Sequence, residues 1–137
     1  MQDNKRKYKL SFGELIERIS INQLREMLIE GDITKFTENI NDLQYDIEML
    51  LLNKNISVPS NFIRLIIITA ELNTLIWVYK DKMQENPDKY DYYLKKSHQL
   101  NGLRNRIKNK INLVLDGNKI ETTNIEIDGL EGFNISI

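Results

Sequence analysis

The sequence predicts a mainly α protein, an antiparallel four-helix bundle that is followed by a C-terminal β-hairpin. An apolar run at 60–85 has few polar interruptions, amphipathic helical patterns lie on both sides of it, and the end of the chain alternates between apolar and polar residues. A helix that is apolar on nearly every face is buried against neighbours on several sides. We therefore expect the run at 60–85 to form the central helix of a soluble bundle.

The composition is that of one ordinary globular domain. Of the 137 residues, 41% are hydrophobic and 28% are charged, and a chain of this length can bury a core without disulfides. It has no cysteine, and no apolar segment follows the basic N-terminus. These features exclude thiolate sites, predict no signal peptide and favour a cytoplasmic protein. The net charge of -1 argues against a general nucleic-acid-binding protein.

Changes in composition divide the chain into three parts. They are a flexible N-terminal arm at 1–10, a helical bundle at 11–117 and a β-hairpin tail at 118–137. In the tail, Asp128-Gly129 lies between two alternating runs, which is a hairpin signal. Because an isolated two-stranded hairpin is marginally stable in water, we expect the tail to pack on the bundle or pair with a second subunit.

Capping signals predict the bounds of the helices. Ser11 and Glu14 have the spacing of a capping box, and Gly31 is a suitable residue to end the first helix. Pro59 disfavours helix at the residue before it, and Ser60 can then cap the central helix. The expected helices run from Ser11 to about Glu30, from Asp32 or Thr34 to about Leu52, from Ser60 to about Glu85 and from Pro87 to about Asp116.

The polar residues of the central helix make it a poor membrane span. Arg64, Glu71 and Asn73 interrupt the apolar run, and a charge in the middle of a span is costly. A buried carboxylate is also costly unless it is paired. We therefore expect Glu71 to meet a cation, either Arg104 or Arg18, in a ligand site or in a purely structural ion pair.

Charge is unevenly distributed between the first half of the chain and the last helix. Acids outnumber bases at 11–52, whereas 92–115 contains several bases and no acid. Acidic and basic helices that attract one another across a bundle would explain this pattern. A local anion-binding site on the last helix would also explain it.

The last helix carries cations and amides at the border of its apolar stripe. At about 100° per residue, Asn101, Arg104, Asn105 and Lys108 form one contiguous patch. Arg presents a planar fork to phosphate or carboxylate, Lys presents a point charge, and Asn amides can bind a ribose or a base edge. Alternatively, the two cations extend along apolar surface and pair with acids of the first or second helix.

We predict a binding site that combines this patch with residues of two other helices. Trp77 would stack on a base, with a place in the core as the alternative, and Arg18 and Asn22 are one turn apart on the first helix. The predicted ligand-binding residues are Arg18, Asn22, Glu71, Asn73, Trp77, Asn101, Arg104, Asn105 and Lys108. We predict no catalytic residue, no metal site and no cofactor.

Catalytic patterns are weak in this sequence. His98 is the only histidine and has no evident Ser or Asp partner. Glu14 and Glu17 are similar to the paired carboxylates with which helical nucleotide pyrophosphohydrolases hold Mg²⁺, but the E-x-x-D half of that pattern is missing. The basic patch also lacks the interleaved aromatic residues of a nucleic-acid-binding surface. We therefore expect a non-enzymatic protein.

Three segments resemble a family of small helical proteins that are common in phage and bacterial genomes. F-G-E-L-I-E-R-I-S-I at 12–21 resembles the FGELIDRLSI opening of that family, and L-N-G-L-R-N-R-I-K-N-K-I at 100–111 resembles its closing LN-x-x-R-x-x-x-K-x-x-I helix. A-E-L-N-T-L-I-W at 70–77 resembles a third, looser block. The resemblance spans 12–112 and implies the helical fold, since most members of the family have no assigned role.

In its size and helical character the chain is also similar to the Sequestin family of phage proteins, which bind ADP-ribose-derived signals made by TIR enzymes. No motif matches that family residue by residue. The similarity implies an anti-defence sponge that sequesters a phosphate-bearing signal, either ADP-ribose-derived or a cyclic nucleotide, as a homodimer or larger homo-oligomer in the host cytoplasm. From the charges in the central helix, the net charge and the lack of interleaved aromatic residues, we expect no membrane and no nucleic-acid partner. The alternatives are a helical protein–protein interaction module and, less favoured, a Mg-dependent nucleotide pyrophosphohydrolase.

Overall fold

A computed structural model describes residues 10–54, 60–115 and 135. Within these residues the chain forms α1 at Phe12–Leu28, α2 at Thr34–Lys54, α3 at Ser60–Glu85 and α4 at Tyr90–Leu115, with a short 3-10 helix at Pro87–Lys89 between α3 and α4. The prediction of a mainly α protein with a four-helix bundle is confirmed. The predicted arm at 1–10 lies outside the described residues, apart from Leu10.

The prediction of a C-terminal β-hairpin is wrong, because the part of the chain that the structure describes is helical and contains no strand. Ile135 is the described residue of the tail. It belongs to no strand, and its half-buried side chain packs against the hydrophobic core. The rest of 118–137 lies outside the described residues. The hairpin prediction used only local alternation, and a two-stranded ribbon gains little stability in water without further packing.

The start of α1 is set by the side chain of the residue before it. Ser11 is the N-cap, and its Oγ accepts a hydrogen bond from the backbone N–H of Glu14 at 3.2 Å. The helix ends earlier than predicted, since the backbone N–H of Ile29 closes the last turn onto the carbonyl of Arg25. Gly31 follows with a φ of +101°, a backbone conformation that favours glycine.

Replacing this cap is expected to weaken the fold moderately. Ser11→Ala removes the acceptor for the Glu14 N–H, and loss of such a cap typically costs about 1 kcal/mol. Ser11→Asp is the matched control, because a carboxylate at this position still caps the helix. Urea denaturation should show a lower midpoint for Ser11→Ala and a midpoint near that of the parent for Ser11→Asp. Equal midpoints for all three proteins would contradict the role of Ser11.

The core lies where α1, α3 and α4 meet, since each of these helices packs against the other two. Phe12 of α1 and Phe62 of α3 have ring centroids 5.1 Å apart at one end of this core. Among the described helices, α2 has close backbone contacts with α1 alone, although three of its apolar side chains reach the edge of the core. The most completely buried side chains are Leu65, Leu100, Leu103, Ile107 and Ile111.

α3 is less enclosed than the sequence predicts. Leu65, Leu72 and Ile76 are buried, but Ile63 and Ile67 are 51% and 54% exposed. By length and composition α3 is the one described helix that could cross a membrane, and 33% of its most apolar window is buried. The expectation that neighbours surround it on several sides is therefore wrong. α3 packs against α1 and α4, whereas α2 lies against α1 and leaves one face of α3 open.

Candidate functional site

Polar side chains from three helices meet beside the core. Asn73 of α3 is 3% exposed, and its Oδ1 accepts a hydrogen bond from Arg104 Nη1 of α4 at 2.8 Å. Its Nδ2 donates to Ser20 Oγ of α1 at 3.0 Å. Both polar atoms of this amide are therefore satisfied by protein groups, as a buried amide requires.

A carboxylate of α1 lies between the two cations of the predicted patch. Glu17 Oε1 lies 3.2 Å from Arg104 Nε, and Glu17 Oε2 lies 3.7 Å from Lys108 Nζ. The side chains of Arg104 and Glu17 are 18% and 16% exposed, and that of Lys108 is 24% exposed. Two positive charges oppose one negative charge here, so the group keeps a surplus of one positive charge. We call Glu17, Ser20, Asn73, Arg104 and Lys108 the polar cluster.

A glycine allows α1 to approach α4 closely enough to form this cluster. The backbone N–H of Gly13 donates to Asn112 Oδ1 at 2.7 Å. A Cβ at Gly13 would lie 2.6 Å from both the Cγ and the backbone oxygen of Lys108. No real Cβ contact is that short, so the first turn of α1 requires glycine at this position.

Three short segments of the sequence supply the polar cluster. Those segments are 12–21, 70–77 and 100–111, and each contributes at least one of the cluster side chains. The chain matches no family model, no curated protein and no solved structure. A functional proposal for this protein therefore depends on the geometry of its own residues.

The structure brings Asn73, Arg104 and Lys108 together, as the sequence predicts, but it does not bring Arg18 and Asn22 to them. Arg18 is exposed, and its backbone carbonyl accepts a hydrogen bond from Asn22 Nδ2 at 2.8 Å. Asn22 Oδ1 accepts a hydrogen bond from Asn39 Nδ2 of α2 at 3.2 Å. Asn22 thus faces α2 and not the cluster.

The prediction that Glu71 is a buried partner of Arg104 or Arg18 is wrong. Glu71 is exposed on α3, and Glu17 is the carboxylate that contacts Arg104. The physical reason is the helical period, since Glu71 and Asn73 lie about 160° apart around the helix. One of them faces α1 and α4, and the other faces away.

The remaining predicted site residues lie at the margins. Trp77 and Asn101 are half-buried and Asn105 is exposed. Sequence reasoning missed Ser20 and gave Glu17 a different role, although Gly13, Glu17 and Ser20 follow one another at i, i+4 and i+7. Residues with that spacing share one face of a helix, so the spacing could have predicted that Glu17 and Ser20 lie on the same side of α1 as Gly13.

The alternative that the sequence left open for the two cations is what the structure shows. Arg104 and Lys108 extend from α4 and pair with an acid of the first helix. Glu17 is also one of the two carboxylates, with Glu14, that a pyrophosphohydrolase site would assign to Mg²⁺, and here its oxygens face two cations. Across the described residues, no three acid or histidine side chains lie together as a potential metal site.

Proposed function

We propose that this chain is a helical protein–protein interaction module that binds its partner through the open face of α3. That face, called the α3 face below, consists of Ile63, Ile67, Ala70, Thr74 and Val78. All five residues are exposed, and at about 100° per residue they fall within about 80° of one another around the helix. The observation that carries the proposal is the exposed stripe that they form, which is apolar except for Thr74, whose hydroxyl donates to the carbonyl of Ala70.

Leaving this stripe in water has a free-energy cost that a partner would remove. Ile63, Ile67 and Val78 keep 51%, 54% and 39% of their surface exposed. Complete burial of such a side chain contributes about 1.5–3 kcal/mol, so covering their exposed parts contributes roughly half of that for each. Isolated exposed apolar residues are common on protein surfaces, but large contiguous apolar patches mark interaction sites.

A second exposed apolar stripe supports the same class of function. Tyr45, Met49 and Leu52 are exposed on α2, and their spacing of four and three residues places them on one side of that helix. α2 contacts the rest of the described fold mainly through α1. Both stripes face away from the core, as the contact surfaces of a helical binding module do.

The proposal predicts that one charge on the α3 face abolishes partner binding without unfolding the protein. Ile67→Lys places an ammonium in the middle of the stripe, and the residue is already exposed. Met27→Lys is the matched control, because Met27 is 72% exposed on α1 and lies outside the face. In affinity capture from the cell of origin, a partner should be retained by the parent and by Met27→Lys and lost by Ile67→Lys. Capture that Ile67→Lys leaves unchanged would overturn the proposal.

The second candidate is the sequestration of a phosphate-bearing, nucleotide-derived signal by a phage anti-defence sponge. The observation that favours it is the surplus positive charge of the polar cluster, where Arg104 and Lys108 turn inward onto one carboxylate. A phosphate would have to compete with Glu17 for these cations. Calorimetry with ADP-ribose derivatives and cyclic dinucleotides should then give a binding heat that Lys108→Gln removes and Lys95→Gln keeps. No heat from any nucleotide would exclude this candidate.

A further inference from the structure

We infer that the occupant of the α3 face is a second copy of this chain, bound as an antiparallel, two-fold symmetric pair of α3 helices. This inference rests on the proposed function, because it names the partner of the same surface. Ile63, Ile67, Ala70 and Thr74 follow one another at intervals of four, three and four residues. That is the spacing of the seam along which two helices pair in a coiled coil.

The sizes of the four side chains select one register of the pair. In an antiparallel seam that is symmetric about the midpoint between Ile67 and Ala70, Ile63 lies opposite the partner's Thr74. In the next layer, Ile67 lies opposite the partner's Ala70. Every layer then combines one large and one small side chain, which allows the helices to interdigitate at close distance. Two-fold symmetry repeats each layer, so one stripe serves both subunits.

The charges at the edge of the face select the same orientation. Arg64 and Glu71 are both exposed and are seven residues apart, so they occupy the same position of successive heptads on one edge of the seam. In the antiparallel register, Arg64 lies beside the partner's Glu71, and symmetry makes this pair twice. In a parallel pair these positions of the two helices lie on opposite edges of the seam, so Arg64 would not meet the partner's Glu71. Arg64 also interacts within its own chain, but a guanidinium has five N–H donors and can serve two partners.

The size of the seam predicts a reversible dimer. Four layers of one helix pair bury less than the roughly 800 Å² per partner of a standard stable complex. The core of each subunit is formed by its own α1, α3 and α4, so the separated subunits stay folded. We therefore expect monomer and dimer to exchange in the micromolar range of concentration.

Sedimentation of the purified full-length chain over a concentration series tests the inference. The parent and Met27→Lys should shift from monomer to dimer as concentration rises, and Ile67→Lys should stay a monomer. Arg64→Glu and Glu71→Arg should each weaken the dimer at least tenfold, because each places like charges together twice. The double variant Arg64→Glu/Glu71→Arg should restore it. A dimer that neither single charge reversal weakens would overturn the antiparallel register.

Disulfide trapping provides a second, independent test of the register. The natural chain has no cysteine, so single cysteines can be introduced without background. Ile63→Cys and Thr74→Cys, mixed and oxidised, should form a mixed disulfide dimer that neither variant forms efficiently alone. Dimers of Ile63→Cys alone that form as readily as mixed dimers would indicate a parallel pair and contradict the inference.

Three further outcomes separate this inference from the proposed function. In the first outcome, the parent chain stays monomeric, but it captures another protein that Ile67→Lys does not capture. This result would overturn the inference that the occupant is a second copy, and it would leave the proposed interaction module intact. A monomeric parent with no protein partner overturns both. Co-sedimentation of the parent, and not of Ile67→Lys, with vesicles of phosphatidylcholine and phosphatidylserine identifies a lipid surface as the occupant and also overturns both.

Discussion

Gly13→Ala is expected to destabilise the protein by about 1–3 kcal/mol, the usual cost of forcing extra atoms into a well-packed contact. The added Cβ would lie 2.6 Å from the backbone oxygen of Lys108 and 3.0 Å from Asn112 Oδ1. A side-chain end could move aside, but a helical carbonyl cannot move without α4. The first turn of α1 must therefore shift away from α4, which also weakens the hydrogen bond from the Gly13 N–H to Asn112.

Whether Gly13→Ala lowers or raises the free energy of unfolding tests the close contact, because alanine is the better helix former and would otherwise stabilise α1. Gly102 of α4 provides the matched control, since a Cβ there would meet nothing within 4 Å. Gly102→Ala should therefore stabilise the protein by about 0.5–1 kcal/mol. Urea denaturation of both variants measures the difference. Stabilisation by Gly13→Ala as well as by Gly102→Ala would contradict the close contact of α1 with α4.

Arg104→Met is expected to destabilise the protein by about 2–3 kcal/mol. The substitution keeps an apolar stem but leaves the buried Oδ1 of Asn73 without its donor, and an unsatisfied buried polar group costs about 1–3 kcal/mol. It also removes the closer of the two cations at Glu17. Because the side chains of Arg104 and Glu17 are partly exposed, water screens this ion pair, and its loss lowers the stability only slightly.

Lys108→Met is the matched control for the loss of charge. Lys108 Nζ is 3.7 Å from Glu17, and its side chain is more exposed than that of Arg104. We expect Lys108→Met to change the free energy of unfolding by no more than about 1 kcal/mol. A double-mutant cycle of Arg104→Met with Glu17→Gln should give a coupling energy of at least about 0.5 kcal/mol. If Arg104→Met costs no more than Lys108→Met, the polar cluster does not contribute to stability as described.

The starts of α1 and α3 could be predicted because the signals that set them are local. Ser11 caps α1 from three residues away, and Ser60 begins α3 directly after a proline. Signals of this kind act within one turn of a helix and need no knowledge of the fold. The predicted and observed starts of α1 and α3 therefore agree to within one residue.

The open face of α3 could not be predicted, because a helix that is apolar all round carries no periodic signal of which face is buried. For the same reason, the sequence analysis wrongly predicted that Glu71 is buried and predicted no partner for Asn73. In the structure, the hydrogen-bond partners of Asn73 come from distant parts of the chain, namely Ser20 and Arg104. Such pairings depend on how the helices pack, and no local pattern encodes them.

The candidate site was predicted in part. The inward orientation of Arg104 and Lys108 followed from their position at the border of the apolar stripe of α4. The carboxylate that occupies the space between them, Glu17, lies on α1 and was not assigned to them. The cations therefore have a structural partner, and this is why the α3 face carries the functional proposal here.

Thiol labelling along α3 tests the central claim most directly, namely that this fold leaves the α3 face open for a partner. In dilute protein, Ile67→Cys should react with a maleimide at nearly the rate of a free thiol. Leu65→Cys, at a fully buried position two residues away, should react far more slowly. Raising the protein concentration should then protect Ile67→Cys as the face is covered. Protection of Ile67→Cys as strong as that of Leu65→Cys in dilute monomeric protein would contradict the account.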